Sequence, residues 1–285
     1  MLRPMLSGML SSSFATGGDA EAFAPTSISF PSSSPPRWSL VSALGADSAT
    51  ATVTWWEKPD ATSTSATYIF GDNVTSTGFR AASTESATIR RIFAQFFQNS
   101  SNSLTFATAT TPALAEGEWN FVAISVSIAT GQGNICVINN SGVTTATTVS
   151  VNGSPTTITF TGTSWVVGTI NASGSAPYFG ELAEITVHRD TGLIDFSSAA
   201  NRRLFITEDG PGGVPVNLGS DGSTPFGTAA LVYMTGADAS SWNNVGSAGS
   251  FTLTGTATGG SSIVIPFSGV AWDGGATWDS GVLWS

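Results

Sequence analysis

The chain has 285 residues, of which 41% are hydrophobic and only 10% are charged, so it has enough apolar material for a folded core and is not a disordered protein. Its formal net charge of −10 repels a phosphate backbone, and we predict no nucleic-acid partner. The single cysteine, Cys136, excludes an internal disulfide framework, and its apolar neighbours predict a small buried side chain.

The amino-terminal segment, residues 1–25, mixes Ser, Gly, Ala and Pro without periodicity, which predicts an arm that orders only against a partner. Pro4 and Gly8 interrupt its apolar residues, so we predict no export signal. No stretch approaches the roughly 18 apolar residues of a membrane span, and no membrane insertion is predicted.

Alternation of apolar and polar residues begins near residue 50 and predicts strands. Residues 52–57 have the pattern of a strand, and a turn signal comes directly after them. Residues 121–128 place Val122, Ile124, Val126 and Ile128 on one face, and a turn at 129–133 leads into the apolar run 135–138, which predicts a hairpin. Further strands are predicted at 156–160, 165–168, 182–188, 231–234 and 251–254.

One segment, 197–206, has a helical pattern. Ser197 or Ser198 can cap its first turn, and Gly210 lies beyond its end. Because short strands separated by Gly, Asn and Ser dominate the rest, the sequence predicts an all-β sandwich or barrel with one short helix.

Three segments, in this order and at this spacing, resemble the laminin-G-like branch of the concanavalin A-like lectin/glucanase superfamily. They are Thr52-Val53-Thr54-Trp55-Trp56, Glu118-Trp119-Asn120-Phe121-Val122-Ala123 and Phe179-Gly180-Glu181-Leu182-Ala183-Glu184-Ile185-Thr186-Val187. The resemblance covers about residues 40–190 and implies a jelly-roll β-sandwich. We predict this jelly roll over residues 26–235, with residues 1–25 as an arm and 236–285 as a β-rich carboxy-terminal extension.

A looser likeness, over 196–205, 215–225 and 230–233, is to bacteriophage and prophage proteins that carry this fold. It implies a virion structural protein, either a capsid decoration or a tail, fibre or spike component. The expected localisation is the virion, assembled in the host cytoplasm. Other virion proteins and further copies of the chain are the expected partners, and adhesion to a host-surface glycan is an additional activity to be tested.

A small tryptophan repeat ends the chain. Trp272-Asp273-Gly274-Gly275 and Trp278-Asp279-Ser280-Gly281 are six residues apart, and Trp284 follows after six more. In an extended segment this even spacing places the three indoles on one face. Such an apolar stripe either packs on the chain's own sandwich or docks on another subunit, and we predict an assembly interface at Trp272, Trp278 and Trp284.

No catalytic residue is predicted. Glycosidase chemistry needs two facing carboxylates, whereas Glu181 and Glu184 are three residues apart and should point to opposite faces of a regular strand. The sole histidine, His188, shares the face of Glu184 and Thr186, and without a nucleophile elbow we expect a surface or hydrogen-bonded structural histidine.

No metal site is predicted either, although calcium stays an open alternative. One His and one Cys cannot supply a zinc site. Asp72-Asn73, Asp190 and Asp195 lie in predicted loops and carry the oxygen ligands that Ca²⁺ prefers, but they form no Asp-x-Asp-x-Asp-Gly cluster.

Carbohydrate binding requires exposed aromatic rings beside hydrogen-bonding groups. Trp165, Tyr178, Trp242 and Asn243 are the candidates, with core packing as the alternative for each ring. The alternatives to a virion protein are a soluble lectin-like carbohydrate-binding module and a glycoside hydrolase of the same fold.

Overall fold

The computed structural model describes residue 23 and residues 25–60, 67–72, 78–86, 89–106, 114–146 and 149–266. Within these ranges the chain forms 17 strands and one α-helix. No helix in them is long and apolar enough to cross a membrane.

The strands follow one another along the whole described chain. Their bounds, in chain order, are β1 Ile28–Phe30, β2 Arg37–Leu40, β3 Thr50–Pro59, β4 Thr67–Asp72, β5 Gly78–Ser86, β6 Ile89–Asn99, β7 Asn102–Phe106, β8 Asn120–Ser127, β9 Gln132–Asn139, β10 Gly142–Ala146, β11 Val149–Asn152, β12 Trp165–Val167, β13 Gly180–Arg189, β14 Val232–Thr235, β15 Asn243–Asn244, β16 Thr252–Thr254 and β17 Thr258–Gly259. The helix α1 is Ala199–Arg202.

These strands form two antiparallel sheets. Sheet A has the order β10-β9-β8-β3-β13-β1-β17, and β14 and β15 branch from β13. Sheet B has the order β11-β7-β6-β5-β4-β12-β2-β16. Strands β15 to β17, which follow the predicted domain boundary at residue 235, pair with strands of the sandwich; the boundary itself stays a prediction.

The main core lies between the two sheets. It is built from alternate residues of both sheets, which is how each strand buries one face. Its largest fully buried members include Trp38, Trp55, Phe70, Phe79, Phe96 and Trp165.

A second core lies on the other face of sheet A. There Trp56, Phe121 and Ile138 pack beneath the covering segment, residues 194–230, and beneath Ile263 and Ile265. Every residue of β8 is therefore buried, because both faces of this strand are covered. Cys136 belongs to this second core and is fully buried, as predicted, and burial raises the pKa of its thiol to about 12.

Most of the predicted elements are confirmed. The strands predicted near 52–57, 121–128, 135–138, 165–168, 182–188, 231–234 and 251–254 correspond to β3, β8, β9, β12, β13, β14 and β16. The prediction at 156–160 is wrong, since only a single bridge joins Ile158 to Ser48. The helix has only four residues, and Ser198 occupies its N-cap position without a side-chain cap hydrogen bond.

A polar clamp joins the beginning and the end of the described chain to β13. Glu181 accepts hydrogen bonds from Ser27 Oγ (3.0 Å), Lys58 Nζ (3.2 Å) and Ser261 Oγ (2.9 Å), and from the Ser261 backbone N–H. Burial works to raise the pKa of Glu181, but the Ser261 donors and Lys58 outweigh it and hold the pKa below its ordinary value. Glu181 is therefore ionised in the folded protein, and its carboxylate accepts the hydrogen bonds that join these segments.

Replacing Glu181 with glutamine should lower the free energy of unfolding at pH 7 by about 1–2 kcal/mol. The glutamine NH₂ group is a donor, and it would face Ser27, Lys58 and Ser261, which donate to the carboxylate in the wild type. Since the pKa is depressed in the folded state, this contribution is present above the ordinary pKa and is lost as the pH falls through the lowered value. Urea denaturation of both forms measures it, with the exposed Glu208→Gln as control. An unchanged unfolding free energy would show that the clamp contributes nothing.

Candidate functional site

The aromatic residues predicted to contact sugars lie in the core. Trp165 is fully buried on β12, where its ring stacks on Phe70 at 5.9 Å and its indole N–H donates to the Gly162 carbonyl at 2.8 Å. Tyr178 is also fully buried, edge-on to Phe30, and its hydroxyl donates to Glu57 and to the Glu181 carbonyl. Neither ring can stack on a sugar from solvent.

Trp242 and Asn243 are structural as well. Trp242 is 2% exposed and packs edge-on against Trp38 at 4.7 Å. The Asn243 amide donates to the Phe251 carbonyl at 2.9 Å and accepts from the Phe251 and Asn244 N–H groups. The prediction of these four residues as an exposed glycan site is therefore corrected, because burial and internal hydrogen bonds occupy them.

The predicted assembly interface at Trp272, Trp278 and Trp284 lies outside the described residues. It stays a prediction. Asn73 of the calcium alternative also lies outside them, and Asp72 is buried on β4. Among the residues that the structure describes, no group of three or more His, Cys, Asp and Glu side chains is placed to hold a metal ion.

A different surface brings hydrogen-bonding side chains together: the outer face of sheet B. Arg80 on β5, Gln95 on β6 and Thr105 on β7 lie directly opposite one another across neighbouring strands. Arg80 Nε donates to Gln95 Oε1 at 2.7 Å, Arg80 Nη2 donates to the same oxygen, and Gln95 Nε2 donates to Thr105 Oγ1 at 3.1 Å. We call these three residues the polar row.

The core packing of their neighbours fixes the direction of this row. Phe79, Phe96 and Leu104 point between the sheets, so the adjacent residues on the same strands point outward. The three side chains of the polar row are half-buried. Their mutual hydrogen bonds hold the three side chains in fixed positions on this face.

Aromatic rings flank the polar row. Phe93 and Tyr68 are half-buried on the same face, with Ala82 between them in the register. On the other side, the Arg80 guanidinium lies 5.4 Å from the ring centre of Phe97, which is itself buried. The half-buried rings of Phe93 and Tyr68, beside fixed hydrogen-bonding groups, offer contacts to the C–H groups and the hydroxyls of a sugar.

The sequence of β6 masks the two-residue period that would have identified this face. Residues 92–97 read Ile-Phe-Ala-Gln-Phe-Phe, and Ile92, Ala94 and Phe96 belong to the main core between the sheets. Phenylalanines occur on both faces, which hides the period of two. The cross-strand alignment with Arg80 and Thr105 depends on register, which no single strand reveals.

The acidic residues of β13 depart from the expected pattern. A β-bulge between Ala183 and Thr186 places two residues opposite Trp55, and Glu184 adopts a left-handed φ of 46° there. The bulge puts Glu184 on the outer face of sheet A, where it accepts hydrogen bonds from Tyr233 and Thr235, so it shares that face with Glu181. The prediction of opposite faces is wrong for this reason.

Glu184 is nevertheless sealed beneath the covering segment. It is 3% exposed, and burial raises its pKa to about 7 against the hydrogen bonds from Thr235 and Tyr233. The third acid of the region, Glu57, is also fully buried, on the core side of β3 with the Trp55 indole N–H donating to it at 2.8 Å. Neither carboxylate reaches a surface on which a polysaccharide can lie.

His188 is neither on the surface nor fully hydrogen-bonded, contrary to expectation. It is 2% exposed, its ring meets Phe226 edge-on at 4.7 Å, and Nε2 has no hydrogen-bond partner among the described residues. Burial lowers its pKa to about 4, so the ring is neutral at pH 7.

No protein-family model matches the chain, and no curated protein matches it in sequence. Its structure is similar to a putative carbohydrate binding protein from Bacteroides ovatus ATCC 8483, with a TM-score of 0.52 and 15% identity over 85% of this chain. The chain spans 62% of the length of that protein.

Two further solved structures are similar at lower scores. A heptameric SAP-like pentraxin from Limulus polyphemus has a TM-score of 0.41 and 20% identity, over 57% of this chain and 76% of that chain. The enzymatically active domain of tailspike protein 2 from bacteriophage CBA120 has a TM-score of 0.39 and 14% identity, over 66% and 31% of the two chains.

Together with the two antiparallel sheets described above, the likeness to the Bacteroides ovatus protein establishes the fold: the chain is an all-β, concanavalin A-like jelly-roll sandwich.

Proposed function

We propose that this protein is a non-catalytic glycan-binding module that contacts an oligosaccharide with the outer face of sheet B. The polar row, with the half-buried rings of Phe93 and Tyr68 beside it, is the observation that carries the proposal. It offers a guanidinium, an amide and a hydroxyl at successive strands, spaced about 5 Å apart. An extended glycan lying across these strands can meet one group after another.

We propose that the bound glycan is not hydrolysed, because the carboxylates of this region are buried. Hydrolysis of a glycosidic bond needs two acids that flank it, and the buried Glu57 and Glu184 are closed to a polymer. Reducing-sugar release from any bound glycan tests this directly. Release that persists in a highly purified sample would favour the glycoside hydrolase alternative.

Replacing Arg80 with alanine should weaken glycan binding by about tenfold or more, because the variant loses the cation and frees Gln95 from its fixed position. A glycan array with the full chain identifies the ligand, and titration calorimetry then compares the variants. The exposed Arg203→Ala has the same charge change on the covered side of sheet A and should bind like the wild type. Equal binding by the Arg80 and Arg203 variants would remove the polar row from the proposal.

We further propose that the module belongs to a bacteriophage particle. The segment whose sequence resembles phage and prophage proteins, around 196–233, contributes the covering segment and β14. It is thus an integral layer of the fold and not a separate appendage. Mass spectrometry of purified particles should detect the chain in virions, together with the subunits that it contacts, whereas its absence from particles would leave the soluble lectin-like alternative.

A further inference from the structure

A pocket of about 280 Å³ opens at the end of sheet B where β2, β16 and the loop after β12 meet. Its wall is formed by prolines, glycines and hydroxyl-bearing residues, namely Pro35, Pro36, Pro177, Gly174, Thr254 and Ser173. Arg37 is the charged residue in the lining, and no acidic side chain contributes to it. In a chain with a net charge of −10, a pocket whose lining has a cation and no carboxylate favours an anionic group.

The Arg37 side chain is held in place with its terminal nitrogens unused. Its Nε donates to the Ala172 carbonyl at 2.8 Å, which fixes the plane of the guanidinium. Nη1 and Nη2 have no hydrogen-bond or ion-pair partner among the described residues. Two N–H groups on one planar edge match the two oxygens of a carboxylate.

The pocket lies on the same face as the polar row. Trp38 and Leu40 of β2 point into the core, so Arg37 and Ser39 point outward. Ser39 is in register with Val166, Gly71 and Arg80 across the intervening strands. Arg37 is therefore about 14 Å from Arg80 across the sheet and about 7 Å along it, a separation that an oligosaccharide spans and a single sugar does not.

We infer that the glycan bound by sheet B is acidic, and that Arg37 pairs with the carboxylate of a uronic acid unit seated in this pocket. This inference rests on the proposed glycan-binding function. The prolines of the wall supply apolar contacts to the sugar ring, while the hydroxyls of Thr254 and Ser173 supply polar ones. Binding should weaken as the salt concentration rises, because one ion pair at a solvent-accessible pocket is screened.

The experiment compares oligosaccharides of hexuronic acids with the same oligosaccharides after reduction of their carboxyl groups. With the full chain, the acidic member of a pair should bind at least about tenfold tighter at low salt. In Arg37→Gln the two members should bind within about twofold of each other, whereas Arg203→Gln should keep the preference. A phosphodiester-linked glycan is a third ligand, and a preference for it over every uronate would overturn the carboxylate assignment.

A second pair of variants tests the pocket without removing Arg37. A Cβ at Gly174 would lie 3.3 Å from Arg37 Nη1, and the glycine has a φ of 88°. Asp and Asn tolerate positive φ better than most residues and have the same shape. Gly174→Asp should cancel the preference for the acidic oligosaccharide by pairing with Arg37, and Gly174→Asn should retain it.

The outcomes separate this inference from the proposed function. Equal binding of acidic and reduced oligosaccharides by the wild type would overturn the inference and leave glycan binding intact. A preference that survives in both Arg37→Gln and Gly174→Asp would place the anion elsewhere. Failure to bind any member of the panel, acidic or reduced, would count against the glycan-binding function itself.

Discussion

Replacing Arg202 with alanine is expected to lower the free energy of unfolding by about 3–5 kcal/mol. Arg202 lies on α1 and donates to both oxygens of Asp209, at 3.0 and 2.7 Å. Its Nη1 also donates to the carbonyls of Phe196 and Ser197, at 2.8 and 2.7 Å. The alanine variant leaves a carboxylate and two carbonyls without these donors in a site where the Arg202 and Asp209 side chains are only 10% and 16% exposed.

Urea denaturation monitored by tryptophan fluorescence measures this loss, since Trp56 and Trp119 report on the second core beneath the covering segment. The neighbouring Arg203→Ala removes an exposed guanidinium and should change stability by no more than about 0.5 kcal/mol. Arg202→Lys keeps the charge but not the two-pronged geometry, so it should fall between the two. A loss below about 1 kcal/mol in Arg202→Ala would mean that the covering segment is held by apolar packing alone.

The strands that could be predicted from the sequence are those with larger side chains on one face than on the other. In β8, large apolar side chains alternate with smaller ones, and a glycine-bearing turn separates it from β9. Both strands were therefore predictable. Strands β4 to β7 were not. The sequence of β5 is a run of alanine, serine and threonine, and phenylalanine lies on both faces of β6, so neither strand has a clear period of two. The sandwich could be predicted, but more than half of sheet B could not.

The candidate site was not predictable, for two physical reasons. A tryptophan in a strand pattern gives no sign of which face it occupies, and Trp165 and Trp242 both lie in the core. The polar row depends on the register of three strands, which long-range pairing determines. The bulge at Glu184 was not predictable either, because a one-residue irregularity in β13 reverses the faces that simple alternation assigns.

Two buried titratable groups on that bulged strand should have opposite effects on stability as the pH changes. The folded-state pKa of Glu184 is raised from 4.5 to about 7, so the folded protein holds this proton more tightly than the unfolded chain, and stability falls as the pH rises from 4.5 to 7. The folded-state pKa of His188 is lowered from 6.5 to about 4. The unfolded chain holds that proton more tightly, and stability rises as the pH rises from 4 to 6.5.

The two contributions to the pH dependence of stability therefore oppose each other between pH 4.5 and 6.5. Single variants should allow each contribution to be measured separately. Glu184→Gln should be more stable than the wild type at pH 8, by on the order of 2–3 kcal/mol, and similar to it at pH 4, where the carboxyl is protonated in both states. His188→Phe should gain a comparable advantage over the wild type as the pH falls from 6.5 to 4. Denaturation series from pH 4 to 8 measure each difference, and subtraction of the wild-type curve cancels the contribution of every titratable group that the variant leaves unchanged. A flat difference for Glu184→Gln would mean that the carboxyl ionises without hindrance beneath the covering segment, which its burial among Tyr233 and Thr235 does not allow unless that segment opens.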